Sequence, residues 1–241
     1  MTMQERAVRT RFQFVRAAAE LFAENGYHNT SLAQVCLTVD HSMGALTFHF
    51  RTKGELADAV EEAGRTRVAA ALVAAKEQVD SLPPLAGVVR LSVAFAELLD
   101  TDCTVRAALT LARDRKHPDL LSEVLVPLIG EFIDGAFDQG HISAEVSRET
   151  VRSLAELLVR GAASRNGTHR SGAEDLARLW RAVFGGLSVG AVGGADPGAN
   201  AELLRKNMHE RGEDPEILWH TARIQPARLT GDPLWRNPLT G

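Results

Sequence analysis

Between residues 42 and 53 the chain sets out Ser42, Met43, Gly44, Ala45, Thr47, His49 and Lys53, polar groups interleaved with small ones. The chemistry they offer is recognition. Gly44 and Ala45 let a backbone come close to base edges, and Thr47 can hydrogen-bond a base or set its methyl against thymine. Ser42, at the start of a helix, suits a phosphate, as do His49 and Lys53. The elements that must hold these groups are read from the surrounding stretch 30–53, TSLAQVCLTVDHSMGALTFHFRTK. Thr30 and Ser31 are placed to cap a helix, and Gln34 follows Ser31 by the three residues of a capping box. Leu32, Val35, Cys36 and Val39 recur at helical spacing. Asp40-His41-Ser42 then breaks the pattern, with Asp40 suited to a left-handed turn and Ser42 to a second cap. The next helix, Met43 to about Phe50, buries Leu46 and Phe50 and leaves Met43, Gly44, Ala45, Thr47 and His49 for another surface. Two such helices form a helix-turn-helix that reads a DNA major groove, or an ordinary helical hairpin inside a core; spacing alone leaves both open.

The segments GYHNTSLAQV and GALTFHFRTKGEL resemble the N-terminal signature of the TetR family of transcriptional regulators. The opening QERAVRTRFQFVRAAAELFAENGY, together with GALTFHF, resembles the γ-butyrolactone receptor branch of actinomycetes. The match is close over residues 4–60 and looser beyond. It implies an all-α, TetR-like fold, with a three-helix helix-turn-helix domain over 1–53. A helical ligand-binding and dimerisation bundle over 54–195 and a C-terminal extension over 196–241 follow. By position, Ser42, Met43, Gly44, Ala45, Thr47, His49 and Lys53 correspond to DNA-meeting residues of the family. Met43 and Thr47 replace the usual lysine and tyrosine, both phosphate contacts, which implies weaker backbone affinity.

Composition agrees with a soluble globular chain, with 24% charged and 45% hydrophobic residues. A net charge of −4 does not advertise nucleic acid, although Arg6, Arg9, Arg11, Arg16, Arg51 and Lys53 all fall in the first quarter. Cys36 and Cys103 sit among apolar neighbours and read as reduced thiols. The sequence has no signal-peptide pattern and no long apolar run, so a cytoplasmic protein without a membrane partner is expected.

Residues 4–25 read as a first helix with the stripe Val8, Phe12, Val15, Ala19 and Phe22, stopped by Gly26. A long helix from Lys53 to about Asp80 ends at Pro83-Pro84. Further helices are expected over about 85–100, 103–115, 118–140, 148–165 and 173–190, the last capped by Ser171 with Glu174. Leu176, Leu179, Trp180, Val183, Phe184 and Leu187, with Val151, Leu154, Leu158 and Ala162, complete a core or pair with a second subunit; the resemblance favours a homodimer. The glycine-rich GGLSVGAVGGADPGAN reads as a hinge or a fraying helix end, and it lacks the order of a phosphate loop. Short helices over 200–211 and from Asp214 to about Ala222 are expected, then a turn-rich end that Trp235 can anchor.

A ligand chamber needs apolar walls and a few polar groups. Ser92, Phe95, Leu109, Thr110, Arg113, Val124, Leu128 and Phe132 are the candidates, each also able to be plain core. The branch's usual tryptophan over the ligand is missing near Val124, so a furan-type signal or an antibiotic stands beside a γ-butyrolactone as the expected ligand. No catalytic, metal or cofactor pattern appears: neither H-E-x-x-H, Cys-x-x-Cys nor G-x-S-x-G occurs. The resemblance implies a repressor that binds a palindromic double-stranded DNA operator as a homodimer, is released by a small autoregulator, and controls antibiotic biosynthesis. The alternative is a pseudo-receptor or sensor with a different ligand and weakened DNA binding.

Overall fold

The computed structural model describes residues 3–79, 82–164 and 172–187. These form α1 (Met3–Asn25), α2 (Leu32–Val39), α3 (Met43–His49), α4 (Lys53–Val79), α5 (Pro84–Thr101), α6 (Cys103–Arg115), a π-helical turn (Leu121–Leu125), α7 (Val126–Asp138), α8 (Arg148–Ala163) and α9 (Gly172–Leu187). The all-α expectation holds. The cap at Ser171, the glycine-rich stretch from Ser188, the helices expected over 200–211 and 214–222, and Trp235 lie outside the described residues.

Two compact units divide the described chain, one of residues 3–68 and 101–120, the other of residues 69–100 and 121–187. In the first, α1 packs on α2, α3 and α6. Its buried residues are Phe14, Val15, Ala17, Ala18, Ala19 and Phe22. That arc is wider and starts later than the stripe read from the sequence. Val8 is 56% exposed, and Phe14, absent from that stripe, is completely buried. The reason is that α1 is covered by α6 as well as by the helix-turn-helix, whereas its first two turns extend past both. Gly64 on α4 allows close approach to α6: a Cβ there would stand 2.5 Å from the Ala108 Cβ and 3.1 Å from the Thr104 carbonyl oxygen.

In the second unit, α7 packs on α8 and α8 on α9. A Cβ at Gly87 of α5 would collide with the Phe132 ring of α7, so glycine is what lets these two helices meet. The single helix expected over 118–140 is divided. Pro127, at the start of α7, has no N–H to donate and cannot continue a regular ladder, and the chain enters it through the wider π-helical turn. Gly140, with φ of +69°, closes α7 as expected.

The face expected to complete a core or to pair with a second subunit is partly internal, with Leu154, Leu158, Ala162 and Val183 half-buried. Val151, Leu176, Trp180 and Phe184 are buried within the chain, and Trp180 stacks on Phe184 with ring centroids 4.9 Å apart. Among the described residues of α8 and α9, the exposed large apolar side chains are Leu157 at 67% and Leu179 at 45%.

Gly64→Ala adds the clashing methyl, and the lost α4–α6 packing should outweigh the roughly 1 kcal/mol helix-propensity gain, lowering stability by about 1–3 kcal/mol net. Ala108→Gly in the same chain should restore part of that loss, as read by urea unfolding of the single and double variants.

Candidate nucleic-acid interface

Local chemistry sets both short helices. Ser31 Oγ accepts from the Gln34 N–H at 3.2 Å, and Gln34 Oε1 accepts from the Ser31 N–H at 2.7 Å, completing the expected capping box. Thr30 is not a cap. Its buried hydroxyl donates to the Gly26 carbonyl at 2.9 Å and ties the loop to the end of α1. Helix α2 ends on Asp40 in the left-handed region (φ 52°), and Ser42 Oγ then accepts from the Ala45 N–H at 3.2 Å to start α3. Leu46 and Phe50 are buried against α1 and its neighbours.

With those two residues inward, the outer face of α3 follows from helical geometry. Ser42, Met43, Gly44 and Thr47 are exposed, and Ala45 is half-buried. Beyond its own helix backbone and chain neighbours, a Cβ added at Gly44 would meet just Ser42 Oγ among the described residues, at 3.8 Å. Thr47 donates its hydroxyl to the Gly44 carbonyl at 3.1 Å, and its side chain is exposed. Phe48, 80% exposed, stands on the same open side and was absent from the expected set. Its position midway between Leu46 and Phe50 was the available signal, since a residue there faces away from both. A bare aromatic ring can pack on a thymine methyl or a sugar.

Two of the expected phosphate contacts, Lys53 and His49, are engaged within the domain. The Lys53 ammonium donates to the Tyr27 carbonyl at 2.9 Å and the Thr30 carbonyl at 3.1 Å, and lies 4.3 Å from the Tyr27 ring centroid. The Tyr27 N–H in turn donates to Asp114 Oδ2 at 2.9 Å, and Arg115 lies over the same ring at 5.5 Å. Lys53 is therefore a positioning residue that fastens the α1–α2 loop to the start of α4. His49 sits against Phe14 at 6.1 Å and Phe48 at 5.1 Å. Burial lowers its pKa, with the Arg11 charge and His41 adding to the effect, which favours the neutral ring.

The eight residues expected to line a ligand chamber do not gather in one unit. Leu109, Thr110 and Arg113 belong to the first unit, and Ser92, Phe95, Val124, Leu128 and Phe132 to the second. Arg113 does not face inward: its side chain is 68% exposed and pairs with Asp114. Ser92 and Phe95 are buried, and the Ser92 hydroxyl donates to the Val88 carbonyl at 2.7 Å. Val124, Leu128 and Phe132 are half-buried. A separate cavity of about 150 Å³ between α7 and α8 is lined by Ile129, Gly130, Ile133, Arg152, Ala155 and Glu156, among others. None of the eight lines it.

Residues 14–60 match the family described as bacterial regulatory proteins, tetR family. The N-terminal domain belongs to the TetR family. The HTH-type transcriptional regulator UidR of Escherichia coli K12 is 40% identical over 58 residues, which are 24% of this chain and 30% of UidR. The matched stretch thus spans less than a third of that relative. Solved structures show likeness over far more of the chain. A γ-butyrolactone receptor described as ArpA-like shares 25% identity at a TM-score of 0.60, covering 84% of this chain and 99% of that one. The TetR family protein CprB of S. coelicolor A3(2) shares 25% identity at a TM-score of 0.62, covering 83% and 99%. The TetR-like fold therefore extends past the head into the helical C-terminal part, as the N-terminal motifs imply. No helix among the described residues is long and apolar enough to cross a membrane.

Replacing Lys53 by Met removes two charge-assisted hydrogen bonds to loop carbonyls. Urea unfolding should show a loss of about 1–3 kcal/mol, which a purely phosphate-binding lysine would not produce.

Proposed function

We propose that this chain is a cytoplasmic transcriptional repressor. It binds a palindromic DNA operator as a homodimer and is released by a small autoregulator-type molecule, in the control of secondary-metabolite biosynthesis. The observation that carries this reading is the outer face of α3, where Met43, Gly44, Thr47 and Phe48 stand open on a helix anchored from behind by Leu46 and Phe50. The likeness to CprB and to a γ-butyrolactone receptor supports both the regulator and the small-molecule signal. Each protomer would lay α3 in a major groove, with half-sites roughly 34–36 Å apart. Residues 54–195 would hold the ligand and dimer functions, followed by an extension over 196–241. Ligand binding shifts the protein toward a DNA-incompetent state by no more than its differential affinity for the two states.

Gly44→Leu tests this reading sharply. The space around Gly44 is open, so the variant should fold with unchanged or slightly raised stability. It should also lose binding to the protein's own upstream region in a gel shift, because the added side chain keeps the backbone from the base edges. A Gly44→Leu variant that shifts the same fragment as the wild type would sink the assignment of α3.

A second reading is favoured by the engaged states of Lys53 and His49 and by the thioether at Met43. It is a pseudo-receptor or sensor for a furan-type signal or an antibiotic, with weakened DNA binding. Met43→Lys separates the readings. In a DNA-binding repressor it should tighten operator affinity and steepen the plot of log affinity against log salt by about 0.9. Absence of any wild-type or Met43→Lys shift at low salt would leave the sensor reading in possession.

A further inference from the structure

Helix α5 is buried all round through its first half: every residue from Pro84 to Val93 is buried. Such a helix ordinarily carries apolar side chains alone. Arg90 lies in the middle of it, its side chain 9% exposed. A guanidinium has five N–H donors, and burying it is tolerable only where acceptors meet them. Here Nη2 donates to Gln78 Oε1 at 3.2 Å, while Nε and Nη1 meet no acceptor.

The counter-ion pairs with Arg90 at the limit of an ion pair and makes no hydrogen bond to Nη1. Glu97, seven residues along the same helix, brings Oε2 to 4.0 Å from Nη1, beyond hydrogen-bond reach. Burial raises the Glu97 pKa, the Arg90 charge opposes that, and Asp100 adds to it. The other well-covered arginines differ. Arg67 pairs with Asp102, and Arg115 donates to Glu61 at 2.9 Å and to Asp58 at 2.6 Å. Arg90 combines the deepest burial of these three with the poorest satisfaction.

We infer that Arg90 is the anchor of a binding site for an organic acid, whose carboxylate accepts hydrogen bonds from Nε and Nη1. Charge-assisted bonds of this kind are about twice as strong as neutral ones, and in an interior they discriminate an acid from its uncharged analogue. The apolar neighbours along α5, such as Val89, Leu91 and Val93, suit a ligand with a hydrocarbon body. The inference deepens the sensor half of the function proposed above and rests on it for biological meaning. Its ligand class is the one that an inward arginine selects, supplied by Arg90 where Arg113 was expected.

The test uses the purified full chain and thermal unfolding, without DNA, so its outcome is separable from that of the operator experiments. Arg90→Met removes the charge and keeps much of the volume. Without ligand it should unfold a few degrees above the wild type, because two buried N–H donor groups that meet no acceptor have been removed. Octanoate or benzoate should raise the wild-type midpoint, octanamide and benzamide should not, and Arg90→Met should abolish the response while Arg90→Lys keeps part of it. A lowered or unchanged midpoint for Arg90→Met would make Arg90 a structural partner of Glu97 and overturn the site. So would equal shifts by acid and amide, no shift by either acid, or an acid response that survives in Arg90→Met.

Discussion

Helices α2 and α3 are eight and seven residues long, too short to hold together in water by themselves. What keeps them folded is burial against α1. Phe14 and Phe22 are completely covered, and Val35, Leu46 and Phe50 pack into the same cluster as Ala107 and Leu111 of α6. The outward face of α3 is thus a by-product of an inward one. Because the anchors occupy one side of so short a helix, the residues between them have nowhere to go but solvent. The same cluster explains why a helix more than a hundred residues along the chain belongs to the same compact unit as the N-terminus.

Electrostatics in this unit serve cohesion before recognition. The negative net charge leaves few spare cations, and many that lie near the head are committed. Lys53 holds two carbonyls, Arg115 bridges Asp58 and Glu61, Arg16 pairs with Glu20, and Arg11 lies over the Phe50 ring at 4.6 Å. On the function proposed above, an interface so arranged would rely more on shape and apolar contact at Gly44, Thr47 and Phe48 than on phosphate neutralisation. That accords with the methionine and threonine at positions where the family usually places a lysine and a tyrosine.

What was legible in the sequence is what local chemistry decides. The capping box at Ser31, the left-handed Asp40, the cap at Ser42, the anchors Leu46 and Phe50 and the stop at Gly26 depend on neighbours within a few residues, and all stand as read. The departures come where a distant partner intervenes. Lys53 is bonded to residues 26 and 23 positions earlier, which no spacing rule reveals. Val8 and Phe14 exchange roles because α6, far along the chain, covers α1. The position of Arg113 on α6 suggests an inward side chain, yet the fold turns it outward, whereas Arg90 is buried within an almost wholly apolar run.

Tyr27 is the chain's sole tyrosine, and it lies at the seam of the α1–α2 loop, α4 and α6, between the ammonium of Lys53 and the guanidinium of Arg115. Nature has thereby placed a unique label where the reading head is fastened. A fluorinated tyrosine incorporated throughout the protein yields one nuclear resonance, and its ring senses both cations. Loosening of that seam becomes visible as a single moving line, with no need to engineer a probe.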